Sequence, residues 1–225
     1  MFRYMIIIVL FVLSAASPAV AVDTLQVTSP DPVLESWRWT KFDRSSGLAG
    51  GVFGIFDDRD GNIWFATGNG AQRYDGYRWT TYTTEDGLAS NAVRAVIQTR
   101  DGAMWFGTWG GGIIRYDGKA WTTYTTEDGL AGNYMWSRSL RQARDGTIWA
   151  GFRIVGDTTG TQSGISRFDG RTWTTVEAPV GVPRPNILGI HEASDGSLWF
   201  STWDQNGVLR FDGTGWRQYT TAEGL

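Results

Sequence analysis

The sequence WTTYTTEDGLA occurs at residues 79–89 and again, without a single change, at residues 121–131. Each copy opens on a tryptophan, and tryptophans of the same kind recur at intervals of about 40 to 50 residues. They are Trp39, Trp79, Trp121, Trp173 and Trp216. The repeated phrase therefore belongs to a longer unit, and a period near 42 residues predicts a repeat architecture.

Two Asp-Gly pairs divide each unit. The first pair begins at Asp60, Asp101, Asp145 and Asp195 and the second at Asp75, Asp117, Asp169 and Asp212. Between β-rich segments an Asp-Gly pair predicts a hairpin, for which we expect type I′ turns with positive φ at both central residues. In the second unit these hairpins separate four segments, at residues 92–99, 103–108, 113–117 and 121–125. Each unit is thus predicted to form four short antiparallel strands.

The inner segments of a unit are apolar on both faces. Met104, Trp105 and Phe106 are consecutive, so their strand must be covered from both sides, whereas the threonine-rich fourth segment suits contact with water. Four-stranded sheets stacked face to face around an axis meet both requirements. We predict an all-β fold, a β-propeller whose blade repeats span approximately residues 43–82, 83–125, 126–176 and 177–219. A β-solenoid is the structural alternative, but its repeats are usually shorter and lack two hairpins per unit.

The segment GLASNAVRAVIQTRDGAMWFGTWGGGIIRYDG, residues 87–118, resembles the two-component regulator propeller repeat, which runs from Gly-Leu-x-x-Asn to a closing Arg-Tyr-Asp. The other units match more loosely, since Ala66 and Ser201 replace Gly107 and residues 183–185 replace the Gly-Leu start of the fourth unit. The resemblance implies the periplasmic sensor propeller of a hybrid two-component regulator. It implies that such a propeller binds a signal, often an oligosaccharide, and has no catalytic activity of its own.

Composition narrows the classes of function. The net charge of −3 and the lack of a Lys/Arg cluster argue against nucleic-acid binding, and a chain without cysteine has no disulfide or thiolate metal site. The single histidine, His191, is interpreted as a strand residue, and Asp57, Asp58 and Asp60 are interpreted as turn residues rather than a calcium loop. We expect the chain to bind no metal and no cofactor and not to be an enzyme. A protein–protein interaction propeller and a propeller hydrolase or lyase remain the alternatives.

The N-terminus has the pattern of a cleaved secretory signal. Arg3 precedes an apolar run at residues 5–13, and Ala-Val-Ala at residues 19–21 matches a cleavage site. We therefore predict a signal peptide at residues 1–21, a linker at 22–36 and a partial propeller at 37–225. The mature chain is expected to be periplasmic or secreted, with no membrane segment after cleavage.

Ligand-binding residues are expected on one rim of the propeller, where the loops from strand four to strand one and from strand two to strand three emerge. Exposed indoles stack on the apolar faces of sugar rings, and nearby polar groups bind the hydroxyls. The candidates for a small-molecule or oligosaccharide site are Trp109, Arg153, Asp157, Trp203, Asp204 and Asn206. The alternative is that the two tryptophans pack on neighbouring blades.

The phase of the repeat predicts an incomplete ring. Residues 37–42 have the pattern of an additional outer strand, and TTAEGL at residues 220–225 closely copies the linker TTEDGL that begins a blade. About four blades are present, and most propellers have more, so we expect part of a seven- or eight-bladed ring. Its open edge would then be covered by other propeller blades or by a second chain.

Overall fold

The computed structural model describes residues 40–155, 163–178, 181–182, 184–203 and 206–225. Residues Phe42–Leu225 form one compact unit, which contains every strand of the described residues. The predicted signal peptide, the linker and the first three residues of the strand expected at 37–42 lie outside the described residues. Residues 40–42 are irregular.

The strands of the described residues form four antiparallel sheets, and each sheet is built from four strands that are consecutive in the chain. Blade one contains β1 (Val52–Asp57), β2 (Ile63–Thr67), β3 (Gly70–Tyr74) and β4 (Trp79–Tyr82). Blade two contains β5 (Val93–Gln98), β6 (Met104–Thr108), β7 (Ile113–Tyr116) and β8 (Trp121–Tyr124), and blade three contains β9 (Met135–Gln142), β10 (Ile148–Phe152), β11 (Gly164–Phe168) and β12 (Trp173–Val176). Blade four contains β13 (Ile187–Glu192), β14 (Leu198–Thr202), β15 (Val208–Phe211) and β16 (Trp216–Tyr219). In blade two the strands match the predicted segments to within one residue at each end.

The first strand of each blade is the inner one. β5 contacts β1 and β9, and β9 contacts β13, so the four blades stand in chain order and form an open arc with blades one and four at its ends. Three apolar clusters fill the interfaces between successive blades. The predicted all-β propeller of four-stranded antiparallel blades is confirmed, and the ring that the described blades form is not closed.

A tryptophan on the second strand anchors each interface. Trp105 is 2% exposed, its indole nitrogen donates to the Thr99 Oγ1 at 3.0 Å, and its ring stacks on Tyr124 at 5.7 Å between centroids. It also contacts Phe168 and Trp173 of blade three, at 5.4 and 6.0 Å between ring centroids. Tyr124 is the tyrosine of the repeated phrase WTTYTTEDGLA. One function of that phrase is therefore to supply an aromatic partner for the buried tryptophan of its own blade.

The Asp-Gly turns differ from the predicted type I′ geometry. Gly102 has φ +89°, whereas no aspartate of the described residues has a positive φ. The backbone N–H of Gly102 donates to the Thr99 carbonyl at 2.9 Å, and the Thr99 N–H donates to the Ala103 carbonyl at 2.9 Å. These bonds define a three-residue hairpin loop in which a type I turn is followed by a left-handed glycine. The type I′ prediction was wrong because the loop contains one residue more than that turn allows.

The linker between blades is a capped 3₁₀ turn. In the second copy of the repeated phrase, the Thr125 hydroxyl accepts from the Glu127 N–H and the Asp128 carboxylate accepts from the Thr125 N–H. Gly129 ends the turn with φ +99°. The TTEDG sequence thus satisfies its own backbone groups while it crosses from an outer strand to the next inner strand.

Candidate functional site

One position recurs on the rim of all four blades, directly after the second strand. The residues there are Gly68, Trp109, Arg153 and Trp203, and each donates its backbone N–H to the residue that precedes its own inner strand. These bonds measure 2.8 Å from Trp109 to Ala92 and 3.0 Å from Arg153 to Tyr134. The backbone therefore holds Trp109, Arg153 and Trp203 at equivalent places, as the spacing of the two tryptophans predicts.

Trp109 is also held by the next blade. It forms an isolated antiparallel β-bridge with Tyr134, and the N–H of the following Gly110 donates to the Asn133 carbonyl at 3.0 Å. Both partners precede the inner strand of blade three. Since two blades fix the backbone of this loop, the orientation of the Trp109 indole is set by the fold.

Six side chains from three blades meet around Trp109, and we call them the rim cluster. They are Phe53, Arg94, Trp109, Tyr134, Trp136 and Arg153. The guanidinium carbon of Arg94 lies 3.7 Å from the Phe53 ring centroid and 5.2 Å from that of Trp109. The guanidinium carbon of Arg153 lies 5.2 Å from the Trp109 centroid and 5.0 Å from that of Trp136. Two cations thus lie against the same indole.

Aromatic contacts connect the remaining members of the rim cluster. The Trp109 ring centroid is 5.7 Å from that of Tyr134, nearly edge to face, and 5.9 Å from that of Trp136. All of the cluster residues except Phe53 are half-buried, and Phe53 is 41% exposed. The rim cluster is therefore partly open to solvent and offers ring faces beside fixed positive charge.

The predicted site residues do not all lie together in the structure. Trp109 and Arg153 are brought together. The two interpretations of Trp109, an exposed indole or an indole that packs on a neighbouring blade, both apply in part, since it contacts blade three and is half-buried. Trp203 is 68% exposed and makes no ring contact among the described residues. Asn206 is half-buried, and its carbonyl accepts from the Gln218 side chain at 3.1 Å. Asp157 and Asp204 lie outside the described residues.

Sequence reasoning missed Phe53, Arg94, Tyr134 and Trp136. Tyr134 precedes β9, and the other three each follow the first residue of an inner strand, where the pairing register with the second strand shifts. Such a bulge adds a residue and breaks the inward-outward alternation of side chains. An alignment of the four units at this position would have found them, whereas the strand as a whole was interpreted as apolar core.

Among the residues that the structure describes, no carboxylate forms an ion pair with the Arg94 guanidinium. Its Nε and Nη1 are shielded from solvent and have no hydrogen-bond partner among the described residues. Burial lowers the pKa of Arg94. Arginine nonetheless remains a cation at neutral pH, so the inner end of the rim cluster carries a fixed charge that only aromatic faces contact.

A cavity lies beside the rim cluster, on the side of the propeller axis. It has a volume of about 420 Å³ and is lined by the inner strands of the first three blades, among them Phe53, Ile55, Val96 and Arg138. Phe53 belongs both to this axial cavity and to the rim cluster, so the two form one continuous region.

Other candidate chemistry lies away from the rim cluster. His191 is exposed on β13, and Asp58 accepts hydrogen bonds from Asn62 and from the Trp64 indole, which identifies it as a turn residue. In the residues that the structure describes, no group of three or more His, Cys, Asp or Glu side chains is placed to hold a metal ion. The same residues include no helix long and apolar enough to cross a membrane.

The fold has relatives among solved structures. An extracellular domain from a hybrid two component system of B. thetaiotaomicron superimposes with a TM-score of 0.63 at 21% identity, over 76% of this chain and 23% of that one. A second such domain from the same organism gives 0.60 at 19% identity, over 75% and 24%. Virginiamycin B lyase from Staphylococcus aureus gives 0.58 at 20% identity, over 78% and 57%. The chain thus spans about a quarter of the first two structures, and these likenesses show the fold.

The sequence comparisons point to one repeat family. No curated protein matches the chain. A family model described as two component regulator propeller matches residues 46–69 and 87–110, which begin in the linkers before blades one and two and extend to their rim loops. Two of the four blades thus contain a segment that matches the two-component regulator propeller repeat, and the chain is a β-propeller that is similar to this family in those segments.

Proposed function

We propose that this chain is a non-catalytic, extracytoplasmic sensor propeller that binds a small-molecule or oligosaccharide ligand at the rim cluster. The observation that carries the proposal is that two arginines lie against the indoles of Trp109 and Trp136 on the rim. The guanidinium carbons are 5.0 to 5.2 Å from the ring centroids that they contact, and the two indole centroids are 5.9 Å apart. Indole faces bind the apolar faces of sugar rings, and guanidinium groups bind hydroxyl or anionic oxygens. The family of the repeat supports a role ahead of a signalling module.

The extracytoplasmic location has two supports. The N-terminal residues have the pattern of a secretory signal, and the two B. thetaiotaomicron structures are described as extracellular domains. Fractionation of cells that express the tagged chain tests the location: a processed chain in the periplasm or medium supports it, and an unprocessed chain in the cytoplasm contradicts it.

Ligand binding is tested on a glycan array, followed by titration calorimetry with every oligosaccharide that the array retains. Trp109→Ala should weaken binding by about tenfold or more, because it removes the ring that both arginines and Trp136 contact. Tyr77→Ala is the matched control, since Tyr77 is 92% exposed in a hairpin between β3 and β4, at the opposite end of the blade. Equal affinities for the two variants would place the site elsewhere.

A lyase is the second candidate, because virginiamycin B lyase shares the fold. The rim cluster contains neither a carboxylate nor a histidine, and the exposed His191 lies on another blade. General acid–base chemistry needs such groups within hydrogen-bond reach of the substrate. We therefore prefer binding to catalysis, and turnover of any bound ligand by the purified chain would reverse that preference.

A further inference from the structure

The axial side of the propeller carries positive charge without matching negative charge. Arg94, Arg138 and Arg153 belong to the rim cluster or line the axial cavity, and none of them forms an ion pair or a side-chain hydrogen bond among the described residues. This is unexpected in a chain whose net charge is −3. Two arginines of the third strands behave differently: Arg115 and Arg210 each contact two carboxylates, at 3.1 to 3.8 Å.

The carboxylates of the inner strands are remote from these cations. The four inner strands contain two carboxylate residues, Asp57 and Glu192, and each is the last residue of its strand. Arg94 precedes the equivalent last residue of β5 by four positions, which corresponds to about 13 Å along a strand. Glu192 is already engaged, because it accepts from Arg144 at 3.2 Å. An anion at the rim cluster would therefore meet attraction from the arginines and little repulsion from the strands.

A shielded guanidinium without an acceptor is costly, since its N–H groups lose their hydration and gain no hydrogen bond. The ring faces of Phe53 and Trp109 stabilise the positive charge, but they accept no hydrogen bond from the N–H groups in the plane of the guanidinium. Buried polar groups of native proteins are normally paired, and an unpaired one calls for an explanation, of which a bound water, ion or ligand is one. Arg94 is such a group, and Phe53, its exposed cover, is a side chain that a ligand can displace.

We propose that the ligand of the rim cluster is an acidic oligosaccharide, with a carboxylate or sulfate group bound by Arg94 and Arg153 and a sugar ring stacked on Trp109 or Trp136. This inference rests on the proposed function, and it adds the charge of the ligand. Each guanidinium carbon lies 5.2 Å from the Trp109 ring centroid, so both cations lie beside the indole at which the sugar ring is proposed to bind. Arginine is suited to this role because its planar N–H groups match both oxygens of a carboxylate or sulfate.

The test compares two probes with the same sugar backbone: tetragalacturonate and its fully methyl-esterified form, in which an uncharged methyl ester replaces each carboxylate. Titration calorimetry with the full chain should show that the acid binds at least about tenfold more tightly than the ester. Its affinity should also fall between about 50 and about 500 mM NaCl, because salt screens exposed charges. Arg94→Gln and Arg153→Gln should each remove most of the preference for the acid, and Arg94→Lys should retain part of it.

Arg78→Gln is the control, because it removes the same charge from an exposed turn between β3 and β4, away from the rim. Circular dichroism of each variant establishes that it is folded. Equal affinity for acid and ester would overturn the inference while carbohydrate binding stands, and so would an unchanged preference in both glutamine variants. If neither probe binds at millimolar concentration, the inference and the carbohydrate part of the proposed function both fail.

Discussion

At the scale of single residues, the four tryptophans of the second strands show what a neighbouring blade contributes. Trp64, Trp105 and Trp149 are buried, each against an aromatic ring of the following blade. Trp199 is equivalent to them in register and stacks on Tyr219 at 5.3 Å, yet it is half-exposed. The same residue in the same local structure is therefore buried to a different extent, depending on whether another sheet lies against it.

This difference predicts unequal effects of truncation. Trp105→Ala should lower the free energy of unfolding by about 3 to 5 kcal/mol, the usual range for a large buried ring. Trp199→Ala, the matched control, should cost less than about half as much because its outer face is already in water. Urea denaturation followed by circular dichroism measures both values. Equal losses would mean that Trp199 is covered in solution.

The aspartates of the turns also act as single residues. Asp195 accepts from the Ser197 hydroxyl and N–H and from Arg210, and these bonds lower its pKa from 3.8 to about 2. Asp212 accepts from the Thr214 and Gly215 N–H groups, which lowers its pKa to about 2 as well. A depressed folded-state pKa contributes stability above the unfolded value, and this contribution is lost as the pH falls through the folded value.

We therefore expect the urea midpoint to fall between about pH 4 and about pH 2, as the turn aspartates become protonated. Asp195→Asn should lower the midpoint at neutral pH and flatten part of the acid limb, since the charge on Arg210 is then no longer matched by Asp195. Glu85→Gln, an exposed linker residue whose side chain accepts no hydrogen bond among the described residues, should leave the acid limb unchanged. An identical acid limb in wild type and Asp195→Asn would contradict this account.

At the scale of elements, an arginine in the first hairpin of a blade links that blade to the next. Arg59 donates through its backbone N–H to the Gln98 side chain at 3.0 Å and through its guanidinium to the Arg100 carbonyl at 2.8 Å. Arg100 makes the same two bonds to Gln142 and Arg144, at 2.8 and 2.7 Å. Arg144 continues the series to Glu192. In blade four the position is Ser194, which has no guanidinium, so the series stops there.

Substitution of these arginines by the serine of blade four should weaken the interfaces unequally. Arg100→Ser removes one hydrogen bond and should cost about 0.5 to 1.5 kcal/mol of unfolding free energy. Arg144→Ser should cost more, because it removes hydrogen bonds to the Ala193 and Ser194 carbonyls together with the ion pair to Glu192. The Glu192 side chain is 6% exposed and would keep only Arg141, at 3.9 Å, as a counter-charge. Chemical denaturation of the two variants decides the order, and a larger loss for Arg100→Ser would contradict this account.

At the scale of the whole arc, the outward face of blade one remains uncovered. Ile55 is 64% exposed, whereas Val96, which holds the same place in blade two, is 6% exposed because it packs on blade one. Val52 is exposed as well, whereas its equivalent in blade two, Val93, is buried in the interface with blade one. This face has the side chains of an interface between blades, so a further blade or a second chain is its expected partner.

We therefore expect association of the chain in solution. Sedimentation velocity from about 1 to about 100 µM should show a rising average mass, and Ile55→Glu should reduce the rise by placing a charge in the contact. Tyr77→Glu is the control, since Tyr77 is equally accessible but lies in a hairpin at the opposite end of the blade. A monodisperse monomer that unfolds cooperatively across this range would contradict the expectation.

The fold was largely predictable because its signals are local. The Asp-Gly hairpins and the doubly apolar strands act over a few residues and recur about every 42 residues, and they placed the strands of blade two to within one residue. The turn type was not predicted correctly, since the same dipeptide serves loops of two and of three residues. The candidate site was predicted in part: Trp109 and Arg153 are conspicuous in loops, whereas Arg94 and Trp136 stand in strands that look like core.

The sequence by itself determined the repeat, the strand order within each blade and the loops that share a rim. Only the tertiary structure decided which side chains meet, because Phe53, Arg94, Trp109 and Arg153 come from three blades and are separated by up to about a hundred residues. The β-bulges of the inner strands turn Arg94 towards the aromatic faces, and the absence of a carboxylate among the six rim-cluster residues leaves its charge unmatched. Such matching depends on distances across the blades, which spacing along the chain does not specify.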